Sequence, residues 1–265
     1  MANIKYADPT YTDIPPTDDD KVMFRTGAGG DARGSIVQPK GYIDGLKLEW
    51  VSGTQVRVTP GAAYVPGPKR IAELASAVTL TPTLAANTWY HSYLTVSVST
   101  VGVEAVTAAP AAPYTGTART KTGDTSRRYI GSFRTNASSQ IMRFTHTPVS
   151  GDFRWGELPS AAPLRILTAG SATVSTDVST AGCAPITVAA IFTRVIQNGA
   201  TGIVYIGSPV DGTAVSISNY TVSLEATKEL YTFLPVINQT VKYIFNSAPA
   251  SSGAFLDVLG FQYER

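Results

Sequence analysis

Cysteine is almost missing from this chain: Cys183 stands alone among 265 residues. A single thiol excludes an intramolecular disulfide and a cysteine-built zinc site, and it fits assembly in a reducing cytoplasm. Histidine is nearly as scarce, with His91 and His146 only, too few for a conventional histidine-rich metal centre. Neither sits in a motif that supplies a nucleophile or carboxylate partner. Charged side chains are 15% of the total, against about a quarter in an ordinary soluble protein. No apolar run approaches the roughly 20 residues that span a bilayer. The opening MANIKYADPT lacks the basic and apolar blocks of a secretory signal. The expectation is a soluble chain, off the standard secretory route, with no membrane insertion. On that expectation the N-x-S/T triplets at Asn136, Asn219 and Asn238 carry no meaning. Heptads and internal repeats are also lacking.

In place of charge the chain has Thr, Ser, Ala, Val and Gly, a mixture suited to short strands, tight turns and surfaces that pack against other copies. The net charge of +2 is unevenly spread. Residues 1–40 carry five basic and six acidic side chains, residues 41–150 ten and five, and residues 151–265 six and eight. The excess gathers at Arg119, Lys121, Arg127, Arg128, Arg134 and Arg143. Arg119, Lys121, Arg127 and Arg128 form a candidate contact loop, for which the blander alternative is a solvated loop or subunit interface. No interleaved aromatics or nucleic-acid motif accompany them, so no nucleic-acid partner is expected.

The pattern predicts an all-β protein in three segments. Residues 1–40 form an extended arm: Pro9, Pro15, Pro16 and Pro39 block a continuous helix or central strand, and Lys21–Arg25 and Ser35–Gln38 are short strand candidates. Residues 41–147 form a β-sandwich-like scaffold. Lys47–Val51 and Gln55–Thr59 flank Ser52-Gly53-Thr54 as a hairpin, Ala62–Val65 is a short strand, and Ile71–Ser76 a helical turn. Trp89–Ser99 is the clearest strand, with Tyr90, Ser92, Leu94, Val96 and Val98 on one side and His91, Tyr93, Thr95 and Ser97 on the polar side. Val103–Val106 pairs with it, Thr107–Ser126 is a long extended loop, and Tyr129–Thr135 with Gln140–Thr145 makes a hairpin. Residues 148–265 carry eight or nine short strands at regular spacing, at Arg165–Thr168, Ala172–Asp177, Ile186–Gln197, Gly202–Gly207, Ala214–Ser218, Tyr220–Glu225, Glu229–Val236, Gln239–Asn246 and Ala254–Gln262. Asn198-Gly199 is a strong hairpin-turn signal. This spacing predicts a jelly-roll-like sandwich.

The order GYIDGL, a strand, V-x-V-x-x-G-x-A-Y, a strand opening on Trp-Tyr, a loop, then RRYIGSFRTNASSQIMRF resembles a recurring module of bacteriophage tail fibres and receptor-binding proteins. It covers Gly41–Phe144. Upstream, Asp18-Asp19-Asp20, a short apolar strand, a glycine turn and Arg33 resemble the N-terminal attachment segments of phage tail proteins. The resemblance implies a non-enzymatic virion protein of a tailed phage, made in the host cytoplasm and placed in the tail, baseplate or collar. It would be a tail fibre, spike or baseplate-associated protein attaching to a host glycan or protein, or else a collar, baseplate or decoration protein with a structural role. It further implies a homotrimer docked to other tail proteins through Ile14, Asp18, Val22, Phe24 and Arg33. Receptor contacts are expected in the loops Gln197–Gly202 and Ser208–Thr213, at Gln197, Asn198, Tyr205 and Asp211. Tyr205, Tyr220, Tyr231, Tyr243 and Tyr263 are candidates for surface or interface positions.

Catalytic alternatives have thin support. Asp152 and Glu157, with Phe153 and Trp155 for company, are the nearest approach to the carboxylate pair of a polysaccharide-cutting spike, yet they lie in an irregular connector. Gly27-Ala28-Gly29-Gly30 lacks the Lys-Ser/Thr and the helix of a phosphate loop. Asp18-Asp19-Asp20 lacks the alternating ligands of a calcium loop. No cofactor or metal is expected, and Cys183 reads as a buried thiol.

Overall fold

In the computed structural model the described residues are 38–98, 100–147, 152–208, 213–263 and 265, together with the backbone of two strands, β1 (Lys21–Arg25) and β2 (Asp31–Ser35). All regular structure among them is strand, in antiparallel sheets, so the protein is all-β. β1 and β2 form a two-stranded hairpin. It includes Val22, Phe24 and Arg33, whose side chains, like Ile14 and Asp18 altogether, lie outside the described residues.

Ten strands follow up to Arg134: β3 (Ile43–Gly45), β4 (Leu48–Ser52), β5 (Gln55–Val58), β6 (Gly61–Val65), β7 (Arg70–Leu74), β8 (Val78–Leu80), β9 (Trp89–Ser97), β10 (Thr100–Val106), β11 (Thr120–Lys121) and β12 (Asp124–Arg134). They form two three-stranded sheets, β3-β6-β7 and β4-β5-β8, and a four-stranded sheet, β10-β9-β12-β11. The hairpin across Ser52-Gly53-Thr54 and the β9–β10 pair are present as expected. The expected helical turn at Ile71–Ser76 is instead β7. Its alternate residues Arg70, Ala72 and Leu74 are buried against β6, and that period of two outweighs local helix propensity. The expected long extended loop 107–126 is shorter, with β11 at Thr120–Lys121 and β12 beginning at Asp124, and it is tied down where Tyr114 Oη donates to Lys40 O and Tyr64 O. His91, expected on a polar face, is buried. β9 is an inner strand covered on both sides, so its period-2 pattern marks two interiors rather than an inside and an outside. In β12 a bulge lies between Tyr129 and Gly131. A Cβ at Gly131 (φ +158°) would sit 2.9 Å from Leu48 Cδ1, so glycine lets the strand close onto β4.

The remaining strands are β13 (Phe144–His146), β14 (Asp152–Trp155), β15 (Arg165–Gly170), β16 (Thr176–Ser179), β17 (Val188–Gln197), β18 (Val204–Gly207), β19 (Val222–Leu224), β20 (Lys228–Pro235), β21 (Thr240–Phe245) and β22 (Ala254–Tyr263). One sheet runs β13-β14-β22-β17-β20, with β15 also on β22; the other runs β16-β21-β18-β19. Val241, Tyr243 and Phe245 share the buried face of β21, as their spacing predicts. Residues 214–218 form no strand, only a turn closed by a Ser216–Asn219 bridge. After the bridge between Thr135 and Ile141, Phe144–His146 leaves the expected hairpin and pairs with β14. The expected domain limit at 147/148 therefore falls inside the β13–β14 hairpin.

One apolar core runs through both halves. At the seam Phe153 stacks on Phe144 and on Phe261, each at 4.5 Å between ring centroids, and meets Trp155 edge-on at 4.9 Å. Trp89 reaches across to Trp155 at 6.1 Å and donates from Nε1 to Ala181 O. Tyr263 Oη donates to Ser132 O and accepts from Ser132 N. Beside these rings runs a polar chain: His91 Nδ1 to Ser132 Oγ (2.7 Å), Ser132 Oγ to Tyr129 Oη (2.8 Å), and Tyr129 Oη to Thr187 Oγ1 (3.0 Å).

Truncating a buried phenylalanine costs about 3–5 kcal/mol, so Phe153→Ala should lower stability by that order. Because its ring touches both halves, denaturant unfolding followed by tryptophan fluorescence should keep one transition at a lower midpoint. Two separated transitions would show that the seam does not couple the halves.

Both histidines are held neutral. Burial pulls His91 down to about 4 and His146 down to about 3, the latter helped by Arg265 and Lys47. Leu48 N donates to His146 Nδ1, which a proton there would forbid. The unfolded chain binds these protons near pH 6.5 and the folded chain does not, so their contribution to stability is intact above pH 6.5 and is lost as pH falls towards 4. The slope is up to ~1.4 kcal/mol per pH unit for each histidine. Chemical denaturation at pH 7, 6 and 5 should show this loss, and His146→Asn should flatten the slope.

Candidate functional site

The strand registers give the C-terminal sandwich two unlike ends. β22 finishes at Tyr263 on the scaffold and begins at Ala254 at the far end, where Gln197 and Gly170 lie opposite it. Lys228 pairs with Gln197 there. The loops 171–175, 198–203, 225–227 and 246–253 therefore cluster at a tip away from the scaffold. The loop 180–187 lies at the other end, where it receives Trp89 Nε1 on Ala181 and Trp155 Nε1 on Cys183. Cys183 is buried there with its thiol pushed up to about 12 by desolvation, an inert group as expected.

Gln197 organises the tip. It is 0% exposed, and its Nε2 donates to Thr201 O and Gly202 O while Oε1 accepts from Gly199 N. Asn198 N donates to Gly253 O, Ala250 N to Thr201 Oγ1, and Ile203 N to Asn246 Oδ1, which joins loop 198–203 to loop 246–253. Gly253 takes φ +32°, and a Cβ there would lie 1.9 Å from Gly170 O, so only glycine closes this corner. The surface so formed is mainly hydroxyl- or amide-bearing, with Ser171, Thr173, Asn198, Thr201, Asn246, Ser247 and Ser251 exposed beside the apolar Val174 and the carboxylate of Glu225.

The expected receptor residues do not converge. Gln197 is an anchor under the tip, and Asn198 is exposed on it. Asn198-Gly199 is not a hairpin turn: β17 and β18 belong to different sheets, and the loop crosses between them. Tyr205 sits half-buried on the outer side of β18, edge-on to Tyr220 at 4.9 Å. β18 runs away from the tip, so Ser208, whose Oγ donates to Thr240 O, lies at the opposite end from Gln197. Asp211 lies outside the described residues. Of the other tyrosines, Tyr220 and Tyr231 are exposed while Tyr243 and Tyr263 are in the core and seam.

The basic loop is also turned inward. Lys121 Nζ (3.0 Å) and Arg127 Nε (3.3 Å) share Glu104, and Arg127 reaches Asp124 at 3.5 Å. Arg119 donates to Ala111 O. Arg128 is 0% exposed, with Nη1 on Arg119 O and Tyr129 O and its guanidinium 5.8 Å from the Tyr114 ring centroid. Arg119 and Arg128 thus fasten loop 108–122, while Lys121 and Arg127 are paired with Glu104 and Asp124.

The carboxylates considered for glycan cleavage have separate partners: Asp152 lies 3.8 Å from Arg154, and Glu157 accepts from Arg143 N at 2.7 Å. The His91–Ser132 pair is sealed in the interior. No cluster of three metal-ligating side chains occurs among the described residues. A cleft of about 330 Å³ opens between the turn at Asn136–Ser138 and Pro163; it is lined by Asn87, Asn136, Ala137, Ser138, Ala162 and Pro163, none of them ionisable.

Sequence reasoning passed over the outer face of the large sheet. Asp257, 0% exposed, accepts from Arg165 Nε (2.6 Å) and Nη2 (3.0 Å) and from Arg194 Nη2 (2.6 Å) and Nε (3.1 Å). Both arginines are pushed above their ordinary values by those bonds. Next to them, Arg154 lies 3.8 Å from the Phe192 ring centroid. The alternation Phe192, Arg194, Ile196 was the available signal, but the carboxylate it needs is sixty residues on. No family model matches the chain, and no curated protein matches it.

Gln197→Ala removes three hydrogen bonds from beneath the tip, at about 1 kcal/mol each. Amide hydrogen exchange should then speed up in 198–203 and leave β9 and β12 unchanged; unaltered exchange in the loop would refute the anchoring role.

Proposed function

We propose that this chain is a virion component of a tailed phage, a tail-fibre, spike or baseplate-associated protein whose C-terminal sandwich carries the host-attachment surface. The observation that carries this is the tip, at the end of the sandwich opposite the scaffold: Gln197 fixes loop 198–203, and Asn198, Thr201 and Asn246 tie that loop to loop 246–253. Its exposed hydroxyls and amides suit a hydroxyl-rich ligand such as a surface glycan, which is bound through many modest hydrogen bonds. The fused seam supports the same reading, because it gives the tip a fixed direction relative to the scaffold. We further propose that the sandwich is a jelly roll. The orders β15-β22-β17-β20 and β16-β21-β18-β19, with successive strands mostly changing sheets, support that topology. The N-terminal hairpin and the segment before it are the proposed docking arm.

The test uses phage particles bearing chains altered at the tip, for example Thr201→Trp or Asn198→Arg. Normal particle yield with adsorption to host cells reduced about tenfold or more is expected. Unchanged adsorption together with defective particles would instead assign a purely structural collar or decoration role.

A further inference from the structure

β20 is the outermost strand of the large sheet, and its backbone parity can be read. Val236 N donates to Ala189 O, so even-numbered residues of β20 turn their backbone groups towards β17. Glu229, Tyr231 and Phe233 then turn their N–H and C=O outward, where no further strand pairs among the described residues. Their side chains share the outer sheet face. Tyr231 is 54% and Phe233 46% exposed, unusual values for aromatics on an open edge. Behind them Phe192 lies 5.1 Å from Phe233, and Arg154 sits 5.6 Å from the Phe233 ring centroid. Lys228 and Pro235 blunt only the two ends of the strand.

We propose that β20 pairs antiparallel with β20 of a second copy of this chain, about a two-fold axis through Thr232. In that register Tyr231 faces the copy's Phe233, and Phe233 its Tyr231. On the inner side Leu230 faces Leu234, and Thr232 faces itself. Aromatic and aliphatic pairs of this kind are the stabilising unit of an antiparallel sheet. This register sets Glu229 against Pro235, so the N–H that proline lacks is lost only at the two strand ends; an axis through Phe233 would bring that loss in to Tyr231, and one through Tyr231 would set Lys228 against Leu234. Charge agrees too. Glu229 of each copy lies diagonally across from the other's Phe233, the ring beside which Arg154 is placed. An isologous contact of this sort closes at two copies, where the tail-fibre resemblance implies three. It is independent of what the tip binds.

The full chain should sediment at twice 28.0 kDa at micromolar concentration. Phe233→Glu should weaken the association about thirtyfold or more with an unchanged melting temperature of the single chain. Thr232→Cys should give a disulfide-linked dimer under mild oxidation, since Cys183 is buried; Ile217→Cys, exposed elsewhere, should not. A monomeric wild type, a trimer that survives Phe233→Glu, or a dimer in which Thr232→Cys fails to cross-link would each overturn the proposal.

Discussion

The stack centred on Phe153 is the contact on which the rest of the structure depends. Its ring is held between Phe144 and Phe261, so it joins β13, β14 and β22 at one point. β22 is also the strand that β14, β15 and β17 share. The same few rings therefore close the sandwich, attach it to the scaffold and set the direction in which the tip points. A flexible linker between the halves would have left that direction free. Here the chain crosses from one to the other inside a β-hairpin, and the core continues underneath it.

Packing this tight around polar groups carries a condition. Ser132, Tyr129 and Thr187 satisfy one another in a hydrogen-bonded chain ending on His91, and burial there favours the neutral imidazole. Arg265 presses the same condition on His146 from the other side: it donates to Leu46 O and, with burial, keeps that ring uncharged. The C-terminal residues thus do two jobs in one place, Tyr263 by hydrogen-bonding β12 and Arg265 by reaching β3–β4.

Much of the fold was legible in the sequence, and the exceptions have a common cause. Period-2 alternation located most strands from Leu48 onward, because a strand with one covered face writes that pattern directly, but it missed the short β7, β8, β11 and β14, which offer too few residues to show a period. It misassigned His91, since a strand covered on both faces buries its polar positions too. It could not foresee that Asn198-Gly199 crosses between sheets, because a two-residue turn signal is local and the choice of sheet is not. The tip was half legible. The loop after β17 is legible as a surface loop, but nothing in the sequence shows that the Gln197 side chain fits beneath it. Nor does the sequence show that β18 carries Ser208 to the opposite end.

The poverty of charge explains where the arginines went. With few charged groups available, those present are used to pin irregular backbone. Arg128 fixes the 108–122 loop, Arg134 donates to Gly182 O and Asn87 O, and Arg165 with Arg194 clamps β15 and β17 through the buried Asp257. Guanidinium suits this, since its planar fork reaches several carbonyls or one carboxylate at once. A cluster of basic residues in a charge-poor sequence is thus poor evidence for an anionic partner when carbonyl-rich loops lie alongside. Exposed aromatics are the more telling sign here. They are the groups the fold had the chemical means to bury, as it did at Phe153, and on β20 it left them at the surface.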